Sequence, residues 1–432
     1  MKVIGIIAEY NPFHNGHAYL IRKARELSGA DAVVAVMSGD FVQRGVPAIY
    51  DKYVRTRMAL AGGCALVLEL PLAAATGSAQ RFAEGACAVL DGIGVIDELW
   101  FGSEAGSMDL FHVLAGVLSE EPPAYQTFLK KRLAEGCSFP RAREDALVFY
   151  ISQTGKWVLP TDESNVEFVN HSEKEETDGI SNRIRTFLKS PNNILGLEYC
   201  IALRKRKSSI VPHTIPRAGA GYHDCSIDMA GGFNSAASIR HYIFDGGDPG
   251  RLESSVPEGV FKVLQEAGAS SVPLCENDFS DMLRYQLMCE EGRLADYLDI
   301  SEDLAARISK RLDKYRTFSQ FAQLLEAKNY TRTHINRALL HILLRIRMED
   351  LQRAVCPGYV RLLGFNSRGR EVLEEIRNSA AARIRTTAKI SALPEEITRT
   401  DVFASNLYEA VRSQKNGQDF VHEFSRPVIL VP

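Results

Sequence analysis

At 432 residues, with 45% hydrophobic and 24% charged side chains, the chain is too long for one ordinary core, and a soft prior of about 150 residues per domain predicts two or three domains. A formal net charge of −3 excludes a protein that coats nucleic acid indiscriminately, and no apolar run approaches the roughly 20 residues needed to span a bilayer. The chain enters a strand pattern at once, without a basic leader, and its eight cysteines are scattered with no CxxC pair and no Cys/His cluster, so a soluble, cytoplasmic protein with neither a disulfide framework nor a bound structural metal is expected.

Residues 2–8 form a short apolar run with Val and Ile and no polar alternation, the pattern of a strand buried on both faces of a parallel sheet. Tyr10-Asn11-Pro12 then turns the chain, because Pro12 fixes its own φ and disfavours the helical region for Asn11. From His17 onward Tyr19, Leu20, Ala24 and Leu27 recur at helical spacing, so His14-Asn15-Gly16-His17 sits at a helix mouth. Such a mouth attracts phosphate through its unpaired N–H groups and its dipole, and Gly16 has no Cβ to hold a ligand off. One histidine capping the helix while the other packs on the sheet is the plainer reading of the same residues.

Residues 32–37 predict a second buried strand, which makes a βαβ unit and sets 10–17 opposite 38–45. Helices are predicted at 52–61 and 78–90, and strands at 65–70 and 98–101, the alternation of a doubly wound α/β domain that binds ligands beyond the C-terminal ends of its strands. Helices at 109–118 and 124–134 follow. Residues 148–189 are poor in buriable side chains around 170–179, which predicts an exposed or mobile loop there. A helix starts at Ser190-Pro191-Asn192-Asn193, a last short strand covers 209–212, and Ser235-Ala236-Ala237-Ser238-Ile239-Arg240 opens another helix. Two hydroxyls and an arginine there read either as a plain N-cap or as a second phosphate cradle.

Beyond 246 strand-like runs vanish and amphipathic helices are predicted at 258–266, 278–290, 304–313, 318–325 and 332–353, which predicts a boundary near 246 and an α-helical second domain. Residues 272–305 hold nine acidic and two basic residues, whereas 330–389 hold twelve basic and five acidic. The basic stretch is a candidate footprint for a polyanion, with Arg332, Arg337 and Arg345 predicted to project from one helical face. A solvated helix face has the same composition.

The string His14-x-Gly16-His17 after a first strand resembles the HxGH signature of the nucleotidylyltransferase superfamily, shared with class I aminoacyl-tRNA synthetases. The longer EYNPFHNGH, at 9–17, resembles the bacterial tRNA(Met) cytidine acetate ligase family, as do YTRTHINRALLHILLRI and YVRLLGF further on. The likeness spans nearly the whole chain except 148–189. It implies a nucleotidylyltransferase-like catalytic domain over 1–245 and a helical tRNA-binding domain over 246–432. It also implies in-line attack by acetate on the α-phosphate of ATP, with Mg²⁺ accompanying the nucleotide, and transfer of the acetyl group to N4 of the wobble cytidine of elongator tRNA(Met).

The residues so implied are His14 and His17 for catalysis, and Ile7, Ala8, Glu9, Tyr10, Asn11, Pro12, Phe13, His14, Asn15, Gly16, His17 and Leu20 for the nucleotide. Gly102, Asn192, Asn193, Arg217, Ser235, Ser238 and Arg240 complete that set, the last three matching the superfamily's ISSTxIR-type helix start. Asp40, Gln43 and Arg44 could position a substrate or be ordinary loop polarity. No membrane or DNA partner is expected, and no sequence signal bears on oligomeric state. An adenylyl- or cytidylyltransferase of coenzyme synthesis, and an RNA-binding protein with a decayed nucleotide site, stay open as alternatives. A class I synthetase should add a KMSKS loop after its catalytic domain, and the nearest string, Lys389-Ile390-Ser391, lacks that pattern.

Overall fold

The computed structural model describes residues 1–154, 174–217 and 233–432. They group into two compact units, residues 1–99 with 218–432 and residues 100–217.

The first unit is built on a mostly parallel sheet. Its first strand, β1 (Val3–Ala8), leads through helix α1 (Asn15–Ser28) to β2 (Ala32–Ser38), and the two strands pair in parallel from Val3 beside Ala32 to Ala8 beside Met37. Every residue of β2 is buried, as its unbroken apolar run predicts. Leu66–Leu70 pairs in parallel with the other edge of β2, and Glu98 and Leu99 lie in parallel beside Ile4 and Gly5. Helix α2 (Lys52–Ala61) begins and ends where the sequence pattern places it. Its N-cap Asp51 accepts hydrogen bonds from the Tyr53 and Val54 amides.

Strands do not vanish beyond residue 246. Tyr359–Phe365 runs antiparallel to Leu66–Leu70, with Arg385–Thr387 and Ile429–Leu430 parallel to it. Its five central residues are buried, so this apolar run is a sheet strand that a late position in the chain had disguised. The compact units therefore do not divide at 245/246: the C-terminal residues extend the sheet that the first hundred begin.

The helix expected over 332–353 is two helices, Arg332–Leu344 and Met348–Val355. Arg345 breaks them by taking φ +57 as the C-cap, a left-handed position usually filled by glycine, so no glycine or proline marks the break. The predicted single arginine face is lost with it. Arg332 pairs with Glu326 and donates to the Ser319 carbonyl, Arg337 pairs with Asp299, and Arg345 lies over the Phe403 ring with a bond to Gln286.

The second unit contains helices Asp109–Glu120, Pro123–Ala134, Phe139–Thr154, Lys174–Phe187 and Pro191–Arg206, and the strand Val211–Pro216. The expected loop over 170–179 is corrected in part, since 174–179 belong to a helix, and 170–173 lie outside the described residues. Phe101 meets Phe111 and Tyr199 edge-on, and Phe111 meets Phe187 the same way, with centroids 4.8 to 5.8 Å apart. Gly196 is required by this core, because a Cβ there would fall 2.3 Å from the Phe101 ring. No helix among the described residues is long and apolar enough to cross a membrane.

Candidate active site

β1 ends at Ala8 and the chain turns at once, with Tyr10 at φ +46 and a cis Asn11–Pro12 peptide bond. Tyr10 and Phe13 are buried, and the Asn11 side-chain oxygen accepts the Ile49 N–H at 2.8 Å. Arg55 has no exposed surface and donates to the carbonyls of Glu9 at 2.7 Å, Ser38 at 3.0 Å and Tyr50 at 2.9 Å, and also to that of Gly39. A guanidinium has five donors and no acceptor, so this one side chain satisfies carbonyls at the ends of both β1 and β2. Burial pulls its pKa below the usual arginine range. Sequence reasoning missed Arg55; the available signal was its place three and four residues before Met58 and Ala59, on a buried face of α2.

His14 is the N-cap of α1, in extended backbone conformation. Its Nδ1 accepts the Gly16 N–H at 3.0 Å, while its own N–H donates to His17 Nδ1 at 3.2 Å, and the rings stack with centroids 3.8 Å apart. Both neutral rings therefore carry their hydrogen on Nε2, the only nitrogen that can then donate to a phosphate oxygen. The plainer reading is met in part: His14 caps the helix, while His17 closes the capping box and stacks on the His14 ring. Gly16 matters for a reason different from the expected one, because its Cβ would fall 2.8 Å from His14 Cε1. The missing side chain makes room for the imidazole, which extends the helix mouth outward from the backbone.

The second mouth lies beside the first. Ser235 caps the helix Ala236–Phe244, its Oγ accepting the Ser238 N–H at 3.1 Å, and the Ser238 hydroxyl donates to the Ser235 carbonyl at 2.8 Å. Arg240 Nη1 donates to the Asn11 carbonyl at 2.6 Å, and Asn15 Nδ2 donates to the Ser254 carbonyl at 2.8 Å, so the two motifs are bonded across more than 200 residues of sequence. Burial lowers the Arg240 pKa from the usual arginine value and the neighbouring Arg44 adds to that, against Glu9 and Glu276.

Of the loop expected opposite, Gln43 donates its N–H to Glu9 Oε1 at 2.9 Å. Asp40 is buried and accepts the Lys52 N–H at 2.8 Å, so it completes the start of α2. Burial pushes its carboxyl up to about 6, against the opposing pull of Lys52.

Gly102, Asn192, Asn193 and Arg217 belong to the second unit. There Asn193 is buried and spends its side chain on the Ala105 N–H and the Phe187 carbonyl, while Asn192 donates to Glu104 at 2.6 Å. Arg217 donates its N–H to the Ser103 carbonyl, and a Cβ on Gly102 would make only ordinary contact with Arg217 Cγ at 3.4 Å. Protein packing alone does not demand glycine at 102. Among the described residues no three His, Cys, Asp or Glu side chains gather as a metal-binding group.

A parallel sheet ending in a two-histidine helix mouth, with a serine–arginine mouth bonded to it, defines a HIGH-type nucleotidyl transferase, and the family described as HIGH Nucleotidyl Transferase matches residues 1–422. The tRNA(Met) cytidine acetate ligase of Thermoanaerobacter sp. (strain X514) is 38% identical over 98% of this chain and 99% of that protein, and that of Clostridium perfringens (strain SM101 / Type A) is 36% identical over 98% of each. The chain belongs to this family. Its fold matches crystal structures of Thermotoga maritima TmcAL over the full length of both chains, with a TM-score of 0.87 at 33% identity for the apo form and 0.84 at 32% for the form bound with alpha-thio ATP.

Proposed function

We propose that this chain is an ATP-dependent ligase that activates acetate and acetylates N4 of the wobble cytidine of elongator tRNA(Met), giving N4-acetylcytidine. The observation that carries the reading is the helix mouth at His14 and His17, whose Nδ1 atoms are both committed to backbone N–H groups, with Arg240 bonded to the turn before it. A carboxylate oxygen of acetate attacks the α-phosphorus, the bond to the β-phosphate oxygen breaks, and pyrophosphate leaves. The cytidine amine then attacks the acetyl carbon of the mixed anhydride, AMP departs, and the nitrogen loses a proton.

The protein's part in the first step is placement and charge stabilisation. His14 and His17 donate Nε2–H to oxygens of the reacting phosphate. Arg240 and the helix start at Ser235 and Ser238 hold the departing pyrophosphate. Gly102, where packing leaves the glycine unexplained, and Arg217 are assigned to the nucleotide, together with Asn192 and Asn193. Where Mg²⁺ accompanies the nucleotide, it would supply further positive charge to the phosphates beside Arg240. We assign the reaction to the cytoplasm, where its proposed substrates ATP and tRNA meet. Exposed cations at Arg370, Arg377, Arg385 and Lys389 make the 246–432 region a surface for the tRNA. Likeness to acetate ligases over the full chain favours this reading over a coenzyme nucleotidylyltransferase.

Incubation with ATP, labelled acetate and elongator tRNA(Met) tests it. Acetate-dependent AMP and pyrophosphate, with label on cytidine, are expected; ADP and phosphate would mean attack at the γ-phosphate and would overturn the reading.

A further inference from the structure

The second unit carries a groove of about 420 Å³ between the helices Pro123–Ala134 and Phe139–Thr154. Phe128 and Phe149 stack across it, centroids 4.1 Å apart and planes 9° from parallel, each ring only half-buried. Lys131, Arg132, Arg141 and Arg185 share the lining with Asp145. Resting on the reading that the acceptor is a tRNA, we propose that this groove is an RNA-binding surface, taking a phosphate on its cations and a base against its phenylalanines.

The charge arrangement carries the argument. Asp145 is buried and meets three guanidiniums: Arg132 at 2.8 Å, Arg141 at 3.4 Å and Arg185 at 3.4 Å. Three guanidiniums bring about fifteen N–H donors to a carboxylate with about four acceptor positions. Glu135 and Glu144 take up a few more. Lys131, exposed, and the three arginines still outnumber these three carboxylates. Surplus planar donors beside open aromatic surface form the combination that binds single-stranded nucleic acid. In the basic stretch at 330–389, Arg332, Arg337, Arg353, Arg361, Arg368 and Arg383 are likewise committed to carboxylates, and the exposed Arg370, Arg377, Arg385 and Lys389 there form a separate set of cations without aromatic neighbours in the groove. Arg132 and Arg185 also join their helices to Asp145, which a purely structural cluster would explain. Arg141 meets Asp145 from the same helix, and its role in holding helices together is small.

The test uses the full chain and a transcript of elongator tRNA(Met), with binding measured across a salt series. Lys131→Ala/Arg141→Ala should weaken binding about tenfold at low salt and reduce the slope of log K against log salt by roughly 1.4 to 1.8, two phosphate contacts' worth. Phe149→Leu should weaken binding and leave the slope unchanged. Both variants should melt as wild type does and bind ATP as wild type does, with KM for tRNA raised and kcat kept. Wild-type affinity and slope in the folded double variant would overturn the proposal. So would a change in sedimentation without a change in tRNA binding, which would make the groove a protein interface. Failure of the ligase reading would show separately, as wild-type protein that forms no AMP in response to acetate.

Discussion

Two strand ends in the first unit solve opposite problems with similar residues. At the end of β1 both imidazole Nδ1 atoms accept backbone N–H groups, and the charge of Arg44 opposes that of Arg240. Toward the end of Leu66–Leu70, Glu69 faces Lys52, which is wholly buried and lies 2.7 Å from Glu69, 2.5 Å from Glu423 and 2.8 Å from the Ser405 hydroxyl. Arg361 completes that cluster on Glu423. Burial opposes the charge on Lys52, but Glu423 and Glu69 more than reverse this and hold its pKa above the usual lysine range. Charge whose partners are all internal is architecture. Charge arranged against its own kind at a helix mouth is an invitation to a ligand.

The largest effect expected from this contrast is on stability. Lys52→Met would leave Glu69 and Glu423 buried with only Arg361 between them, and breaking a buried ion pair costs about 3–5 kcal/mol. The urea midpoint should fall accordingly, and Lys52→Met/Glu69→Gln should recover part of the loss. A midpoint shift worth less than about 1 kcal/mol would mean that the cluster is not a closed unit.

At the other strand end the effect falls on turnover. On the proposed mechanism, in which His17 donates as charge grows on the α-phosphate, His17→Ala should drop kcat by about 100-fold while ATP affinity changes much less. Equal losses in affinity and rate would make His17 a ground-state ligand instead.

The strand ends also explain what the chain could reveal about itself. β1, α1 and β2, and with them the histidine mouth, were legible because their apolar periods and turn residues act within a few residues of each other. So was α2, whose Asp51 cap and apolar face are local. Three features were not. Tyr359–Phe365 finds its partner nearly 300 residues earlier, and no local pattern announces an antiparallel strand within a mostly parallel sheet. Arg345 ends a helix in a left-handed conformation that arginine rarely takes, so nothing in its chemistry marks a stop. Lys52 and Arg361 look like surface residues until their partners are known, because pairing, unlike hydrophobicity, is not written in composition.

A smaller expected effect separates buried carboxyls from buried pairs. Burial, with Glu69 nearby, pushes Asp401 up to about 6, against the hydrogen bond it accepts from the Leu72 N–H at 2.8 Å. With its folded pKa above the unfolded value, this group contributes stability that is fully present below about pH 4 and is lost as pH rises through 6. Asp401 keeps some exposed surface, so about 1–2 kcal/mol is expected rather than the full conversion of the shift. Measured between pH 4 and 7, the stability of Asp401→Asn relative to wild type should rise by that amount, and a flat difference would exclude the titration.

The smallest effect decides whether the second helix mouth is a site or only a cap. Ser235 performs a cap's work, accepting the Ser238 N–H, and Ser235→Ala should cost about 1 kcal/mol of stability whatever else the residue does. Aspartate caps as well as serine and is favoured by the helix dipole, so Ser235→Asp should keep the melting temperature of wild type. At a mouth that holds pyrophosphate, however, the same carboxylate would meet the ligand's own charge. ATP affinity should then fall about tenfold in Ser235→Asp and change little in Ser235→Ala, the reverse of the order in stability. The inversion is the point of the pair, since a simple cap would let both variants bind ATP as wild type does. With unchanged binding in Ser235→Asp, this helix start would join the Lys52 cluster as architecture, and the cation for the leaving pyrophosphate would have to be Arg240 acting without it.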